Sequence, residues 1–166
     1  MKHTLLIKVA LCAAIMLAAT GANASNKEFK KLAKIDGVEH VHIGKFLLSL
    51  AAKNGESVNI GDGITFTSKS GNILKKINSI DVFTSEEKKT AEQLSQQVWS
   101  ILNGNGWEPL INMTDADGEK VKIYQNQHGK HTTVIIFEEE ESEASLVVID
   151  GKLDMAQLME QMSKEN

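Results

Sequence analysis

The sequence predicts an α+β domain in which helices cover a mostly antiparallel sheet of five to six strands. Two observations support this class. Helical and strand-like periods alternate in the first part of the chain, whereas from Trp107 onward the apolar period is two, which is typical of strands. The later segments are joined by short turns, and short connections join antiparallel neighbours. We expect the order α-β-α-(loop)-β-α-β-β-β-β-α.

The N-terminus has the pattern of a secretory signal peptide. Lys2 and His3 precede a run from Leu5 to Ala19 that is apolar except for Lys8, and Ala22-Asn23-Ala24 then forms an A-x-A cleavage pattern. The apolar run is about 15 residues long, whereas a membrane-spanning helix needs roughly 20. We therefore expect cleavage after this pattern and an exported protein, periplasmic or secreted.

The predicted division is a signal peptide over residues 1–24 and a single domain over residues 25–166. Cys12 follows Leu11 in the middle of the apolar run, so a lipid anchor is not expected. No membrane-spanning segment is expected after cleavage. Since Cys12 is the only cysteine, the mature domain has no disulfide, no thiolate nucleophile and no zinc-thiolate site.

Charge argues against a nucleic-acid binder. The formal net charge is −4, and loss of Lys2 and Lys8 with the leader leaves 16 lysines against 22 acidic residues, or −6. Arginine, which supplies the common bidentate contacts to phosphate and guanine, is absent from the chain. We therefore expect no nucleic-acid partner.

The first half of the mature chain changes its period several times. Ser25 and Glu28 have the spacing of a capping box, and Gly37 ends the helix that follows. The predicted elements here are a helix at 26–35, a strand at Val38–Ile43, a helix at Lys45–Lys53, a helical turn at Leu74–Ile77 and a strand at Ile80–Phe83.

Residues 54–71 are rich in Gly, Ser, Asn and Thr, which predicts a loop. A small hairpin is the alternative within this loop. In that arrangement Val58 and Ile60 pair with Ile64 and Phe66 across a glycine-containing turn at residues 61–63.

A longer amphipathic helix follows, with Thr84 and Glu87 at capping-box spacing and Asn103-Gly104 at its end. Its apolar stripe comprises Ala91, Leu94, Val98, Ile101 and Leu102. Of this helix we expect Leu94, Val98 and Leu102 to be buried and Trp99 to be partly exposed. Strands are then predicted near 107–114, 119–126, 131–138 and 145–150, before a final helix from Leu153 to Ser163.

The most specific candidate site is the pair His40 and His42. On a strand these imidazoles point to one face, about 7 Å apart at Cα, and they could hold a metal ion. Zinc would need further ligands, for which His128, His131 and the run Glu138–Glu141 are available. The alternative, which we prefer, is that both histidines are ordinary polar residues of a half-exposed strand, because an H-x-H pattern is not specific.

Three other patterns have simpler structural interpretations. Asp115-x-Asp117-Gly118 lacks the later ligands of a calcium loop and predicts a turn. The acidic run from Glu138 to Glu143 predicts a solvated hairpin loop that could attract a basic partner. Met155, Met159 and Met162 of the last helix predict core packing rather than a binding surface.

Catalysis has no support in the sequence. The chain contains no G-x-S-x-G elbow, no phosphate-binding glycine motif and no H-E-x-x-H pair. We therefore expect a protein that is not an enzyme and carries no cofactor. Two hypotheses remain: an exported domain that recognises another envelope protein through a sheet edge, the acidic hairpin or an apolar patch, and a metal or small-ligand binder that uses His40 and His42.

Several motifs together resemble one family over residues 28–160. They are Val38-Glu39-x-Val41-x-Ile43 with Lys45, Trp107-Glu108-x-Leu110, Asp115-x-Asp117-Gly118-Glu119, Val121-x-Ile123-Tyr124, Gly129-Lys130, and Val147-Val148-Ile149-x-Gly151-x-Leu153. The chain resembles the domain-of-unknown-function family 4252 of exported bacterial cell-envelope proteins, found chiefly in Bacteroidetes. The resemblance implies export and one domain, and it assigns no catalytic or binding residue. The chain departs from the family by lacking a lipobox and by having His42 where a bulky residue is expected.

Overall fold

The computed structural model describes residues 27–55, 58–59, 65–66, 71–104, 106–114, 116 and 118–156. A 3-10 helix spans Phe29–Lys34. The other described elements are β1 (Glu39–Gly44), α1 (Lys45–Asn54), β2 (Val58–Asn59), β3 (Thr65–Phe66), α2 (Gly71–Lys76), β4 (Ile77–Ser85), α3 (Lys88–Leu102), β5 (Trp107–Thr114), β6 (Lys120–His128), β7 (His131–Glu139) and β8 (Ala144–Gly151).

Six of the strands form one sheet in the order β1-β4-β8-β7-β6-β5, and each neighbouring pair is antiparallel. The predicted α+β class, with a mostly antiparallel sheet and helices, is confirmed at this level. Strands β2 and β3 form a separate two-stranded ladder that pairs Val58 with Phe66, which is the register of the hairpin alternative. The turn at 61–63 and most of the predicted C-terminal helix lie outside the described residues.

Alternate side chains of each strand point to opposite sides of the sheet, and helices cover both sides, so the sheet has two buried faces. We call them the α1 face and the α3 face. The α1 face packs against α1 and α2 and includes Leu48, Leu74, Ile80, Val82, Val134, Ile136, Val147 and Ile149. The α3 face packs against α3 and the 3-10 helix and includes Phe29, Leu32, Phe83, Leu94, Val98, Ile135, Phe137, Leu146 and Val148. Strand β8 is buried along its whole length, as expected of a strand covered on both faces.

Helix α3 confirms the predicted stripe. Leu94, Val98 and Leu102 are buried, and Trp99 is partly buried against the same cluster. Its predicted start is wrong. Thr84 lies within β4, where it pairs with Ser145 of β8, and the strand continues to Ser85. It is therefore too far from Lys88, the first helical residue, to cap the helix.

Helix α3 instead begins at Lys88 with Glu87 at the N-cap position. Within the described chain, no side chain caps it. The 3-10 helix likewise has Glu28 at its N-cap position and no side-chain cap among the described residues. Ser25, the other half of the first predicted capping box, lies outside those residues.

Candidate functional site

The two candidate histidines lie on β1, a strand at the edge of the sheet. Register with β4 places His42 opposite Asp81 and His40 opposite Phe83. The predicted orientation of this strand is confirmed, because Val41 packs on the α1 face while the ring of His40 meets Phe83 of the α3 face. The His40 and Phe83 rings are stacked, with centroids 4.4 Å apart and an interplanar angle of 4°.

Asp81 joins the two imidazoles. Its Oδ1 lies 2.9 Å from His40 Nε2 and 2.8 Å from His42 Nδ1. An ionised carboxylate only accepts hydrogen bonds, so both ring nitrogens donate to this one oxygen. We call these three residues the histidine cluster. Sequence reasoning missed Asp81, although a single acidic residue within the apolar strand Ile80–Phe83 was a signal for it.

Burial by itself would raise the pKa of Asp81, which is only 8 % exposed. The hydrogen bonds from His40 and His42, followed by the charge of both rings, outweigh burial and hold the pKa of this carboxyl below its ordinary value of 3.8. The cluster therefore contains a carboxylate that stays ionised through neutral and mildly acidic pH. Both imidazoles remain accessible, since their side chains are 28 % and 46 % exposed.

The other sequence candidates for metal ligands do not reach this cluster. His128 and His131 pair with each other at the β6–β7 hairpin, and β8 and β4 lie between β7 and β1. Three strand spacings separate the two pairs, or about 14 Å. Among the residues that the structure describes, no three His, Cys, Asp or Glu side chains form a group that could hold a metal ion.

The geometry of the histidine cluster explains why its three residues do not form a metal site as they stand. His40 Nε2 and His42 Nδ1 converge on an oxygen of Asp81, so this oxygen occupies the position that a shared metal ion would need. Metal binding would require the carboxylate to withdraw by about 2 Å, the length of a zinc–ligand bond. The metal hypothesis for His40 and His42 therefore stays a prediction.

The acidic run surrounds a tight connection between β7 and β8. Glu139 lies within β7, accepts a hydrogen bond from Trp99 Nε1 at 3.3 Å and forms a 2.9 Å ion pair with Lys122. Glu141, in the loop, is paired with Lys88 at 3.5 Å. Asp115 and Asp117 of the predicted turn lie outside the described residues.

A second polar region on the α3 face lies where the sheet extends beyond α3. It is a cavity of about 700 Å³, which we call the α3 cavity. The end of α3, the 3-10 helix and the ends of β5 to β8 enclose it. Its walls include Leu32, Ile101, Trp107, Asn126, His128, His131, Thr133 and Asp150. Of this set, the sequence predicts only His128 and His131 as candidate site residues.

Helix α1 exposes three large apolar side chains. Phe46 is 78 %, Leu47 is 51 % and Leu50 is 44 % exposed. On the same helix Leu48 is buried in the core of the α1 face and holds the helix on the sheet, and Ala51 is also buried. We call Phe46, Leu47 and Leu50 the α1 patch.

Comparison with protein families identifies the family to which the chain belongs. A family model described as a domain of unknown function (DUF4252) matches residues 29–161. The chain therefore belongs to this family, as the motifs of the sequence indicated, and the match spans every described element from the 3-10 helix to β8. No curated protein and no solved structure matches the chain significantly. Within the described residues, no helix has the length and apolar character to cross a membrane.

Proposed function

We propose that this chain is an exported, non-catalytic domain of the bacterial cell envelope that recognises another protein through the α1 patch. One observation carries the proposal: Phe46, Leu47 and Leu50 present large apolar surfaces side by side on one outward turn of α1. Scattered exposed apolar residues are ordinary on a protein surface, whereas a contiguous set marks an interaction site.

The chemistry of the patch suggests the chemistry of the partner. Exposed lysines, Lys45 and Lys53, lie at the two ends of α1. An apolar centre with a polar rim is the usual anatomy of a protein–protein interface. The complementary surface is therefore an apolar groove with acidic residues at its edge. Export is supported by the leader, whose Ala22-Asn23-Ala24 pattern follows an apolar run of secretory length.

The second candidate function is binding of a metal ion or small ligand at His40 and His42. The observation in its favour is that the ionised carboxylate of Asp81 could serve as a third metal ligand, since its Oδ1 lies 2.8 to 2.9 Å from both ring nitrogens. A metal at this position would have to compete with two charge-assisted hydrogen bonds. We therefore rank it below recognition through the α1 patch.

Photo-crosslinking in the cells that make the full-length protein tests the first proposal. A photoreactive amino acid replaces Leu47 in one variant and Glu92 in the control. Glu92 is exposed on α3, which lies across the sheet from α1. We expect a discrete adduct from position 47, absent at position 92, and reduced when Phe46→Ser is added.

Two results would contradict this proposal. One is the same adduct pattern from positions 47 and 92, which would show that the α1 patch has no partner of its own. The other is a protein that keeps residues 1–24 and stays in the cytoplasm, which mass spectrometry of the N-terminus after fractionation would reveal. An adduct with lipid rather than protein would replace the proposed partner by a membrane surface.

A further inference from the structure

The α3 cavity contains a buried polar atom with no partner. Asn126 is 7 % exposed, and within the described part of the chain its Oδ1 is buried and has no hydrogen-bond partner. A buried carbonyl oxygen without a donor is unfavourable, and the large majority of such atoms in folded proteins are paired. Because Asn126 is part of the cavity wall, a turn of its side-chain amide toward the cavity would let a ligand supply the missing donor.

The same wall carries a buried acidic side chain. Asp150 is 1 % exposed and lines the cavity beside Thr133, whose Oγ1 donates to Asp150 Oδ1 at 3.3 Å. Asn78 Nδ2 donates to Asp150 Oδ2 at 3.4 Å, so the carboxylate is held in a fixed position. A fixed carboxylate and an unpaired carbonyl oxygen in one wall together favour a cationic N–H donor.

The cavity also has apolar side chains in its wall, beside the polar Glu28, Lys31, Gln97 and Ser100. Trp107 packs edge-on against Phe29, with ring centroids 5.8 Å apart, and is only partly buried. Leu32 and Ile101 lie in the same wall. An indole face attracts cations as well as apolar groups. Trp107, Leu32 and Ile101 therefore offer apolar contacts for the body of an amphiphilic ligand.

We propose that the α3 cavity binds a small primary amine with an apolar body. Its ammonium group donates to Asn126 Oδ1 and to the Asp150 carboxylate, and its apolar body packs against Trp107 and Ile101. A volume of about 700 Å³ lies within the range of small-molecule sites, which combine apolar walls with a few convergent polar groups. This site lies across the sheet from the α1 patch, so it is independent of the proposed protein contact.

The test uses three probes of one shape on the purified chain. Phenethylamine carries the ammonium group, 2-phenylethanol is its neutral analogue, and phenylacetate reverses the charge. Calorimetry measures each Kd, and the side-chain amide signals of Asn126 in a nitrogen-15 spectrum report where the probe binds. We expect saturable binding of phenethylamine that shifts the Asn126 signals, and binding at least about tenfold weaker for both other probes.

Two variants assign the contacts. Asp150→Asn keeps the shape and removes the charge, so it should weaken phenethylamine binding about tenfold and leave 2-phenylethanol binding unchanged. Asn126→Leu removes the acceptor and should weaken phenethylamine binding as well. Asn112→Leu, at an exposed position of β5, is the matched control and should bind phenethylamine normally.

Three results would overturn the proposal. Phenethylamine could fail to saturate at a concentration of about 10 mM, at which a site with a Kd of about 1 mM would be nearly full. All three probes could bind alike, which would show an unspecific apolar cleft. Asp150→Asn could bind phenethylamine as tightly as the native chain does. This result would overturn the proposal by itself, even if Asn126→Leu did not fold.

Discussion

The histidine cluster and the α3 cavity are two polar regions on one face of one sheet, and they differ in how their polar atoms are satisfied. In the cluster, Asp81 accepts from both imidazoles, and the carboxylate is complete without any ligand. In the cavity, Asn126 Oδ1 is buried without a donor among the described residues. The two histidines of the H-x-H motif thus already have their hydrogen-bond acceptor within the protein. Asn126, which belongs to no motif, has a buried oxygen without a donor among the described residues.

Loss of Asp81 should have the largest effect. Asp81→Ala leaves His40 and His42 without their acceptor and opens a gap beside Phe83, so we expect a fall of about 1–3 kcal/mol in the free energy of unfolding. Urea denaturation monitored by circular dichroism measures it. Asp36→Ala, at an exposed position, is the control and should change stability little. Equal stability of the two variants would show that the cluster does not support the fold.

In the cavity, by contrast, we expect a substitution to raise the free energy of unfolding. Asn126→Leu removes an unpaired buried acceptor from the free protein, so the free energy of unfolding should rise by about 1–2 kcal/mol. Asn112→Leu, exposed on the neighbouring strand β5, should leave it nearly unchanged. A clear loss of stability in Asn126→Leu would mean that the asparagine supports the fold, and the contrast between the two regions would disappear.

The pH dependence of stability distinguishes the contribution of the Asp81 carboxylate from the effect of acid on the rest of the protein. Because the pKa of Asp81 is lowered in the folded state, its contribution is fully present above the ordinary value of 3.8 and is lost as pH falls through the lowered value. The Tm difference between the native chain and Asp81→Asn should therefore shrink as pH is lowered from about 6 toward 3. A difference that stays constant over this range would contradict the assignment.

The smallest effect is expected from metal ions. Since the Asp81 oxygen occupies the point where the two ring nitrogens converge, zinc should raise the Tm of the native chain no more than that of the His40→Ala, His42→Ala double variant. A thermal-shift titration decides this. A saturable rise that disappears in the double variant would instead establish the metal site and promote the second candidate function.

Much of the fold follows from local periodicity. The stripe Leu94, Val98 and Leu102 places α3 on the sheet. The period of two after Trp107 predicts four strands because alternate side chains of a strand point to opposite sides of the sheet. The register that pairs Val58 with Phe66 is the one that the hairpin alternative predicts, since loop length sets the register of a hairpin. These features depend on residues close together in the chain.

The site features depend on residues far apart in the chain, which explains why local patterns do not predict them. His42 meets Asp81 only because β1 pairs with β4, although α1, β2, β3 and α2 lie between them in the sequence. Asp150 reaches the cavity because β8 inserts between β4 and β7. Asn126 has no motif around it, and its missing partner is visible only once the neighbouring strands are in place.

One titration tests the contrast between these regions directly. The isotope-labelled chain is titrated with phenethylamine while the Asn126 side-chain amide and the His40 and His42 ring signals are followed in the same sample. We expect the Asn126 signals to shift and saturate with one Kd, and the two ring signals to stay in place. Saturable shifts at the histidine rings with none at Asn126 would contradict the account and move the binding site to the histidine cluster.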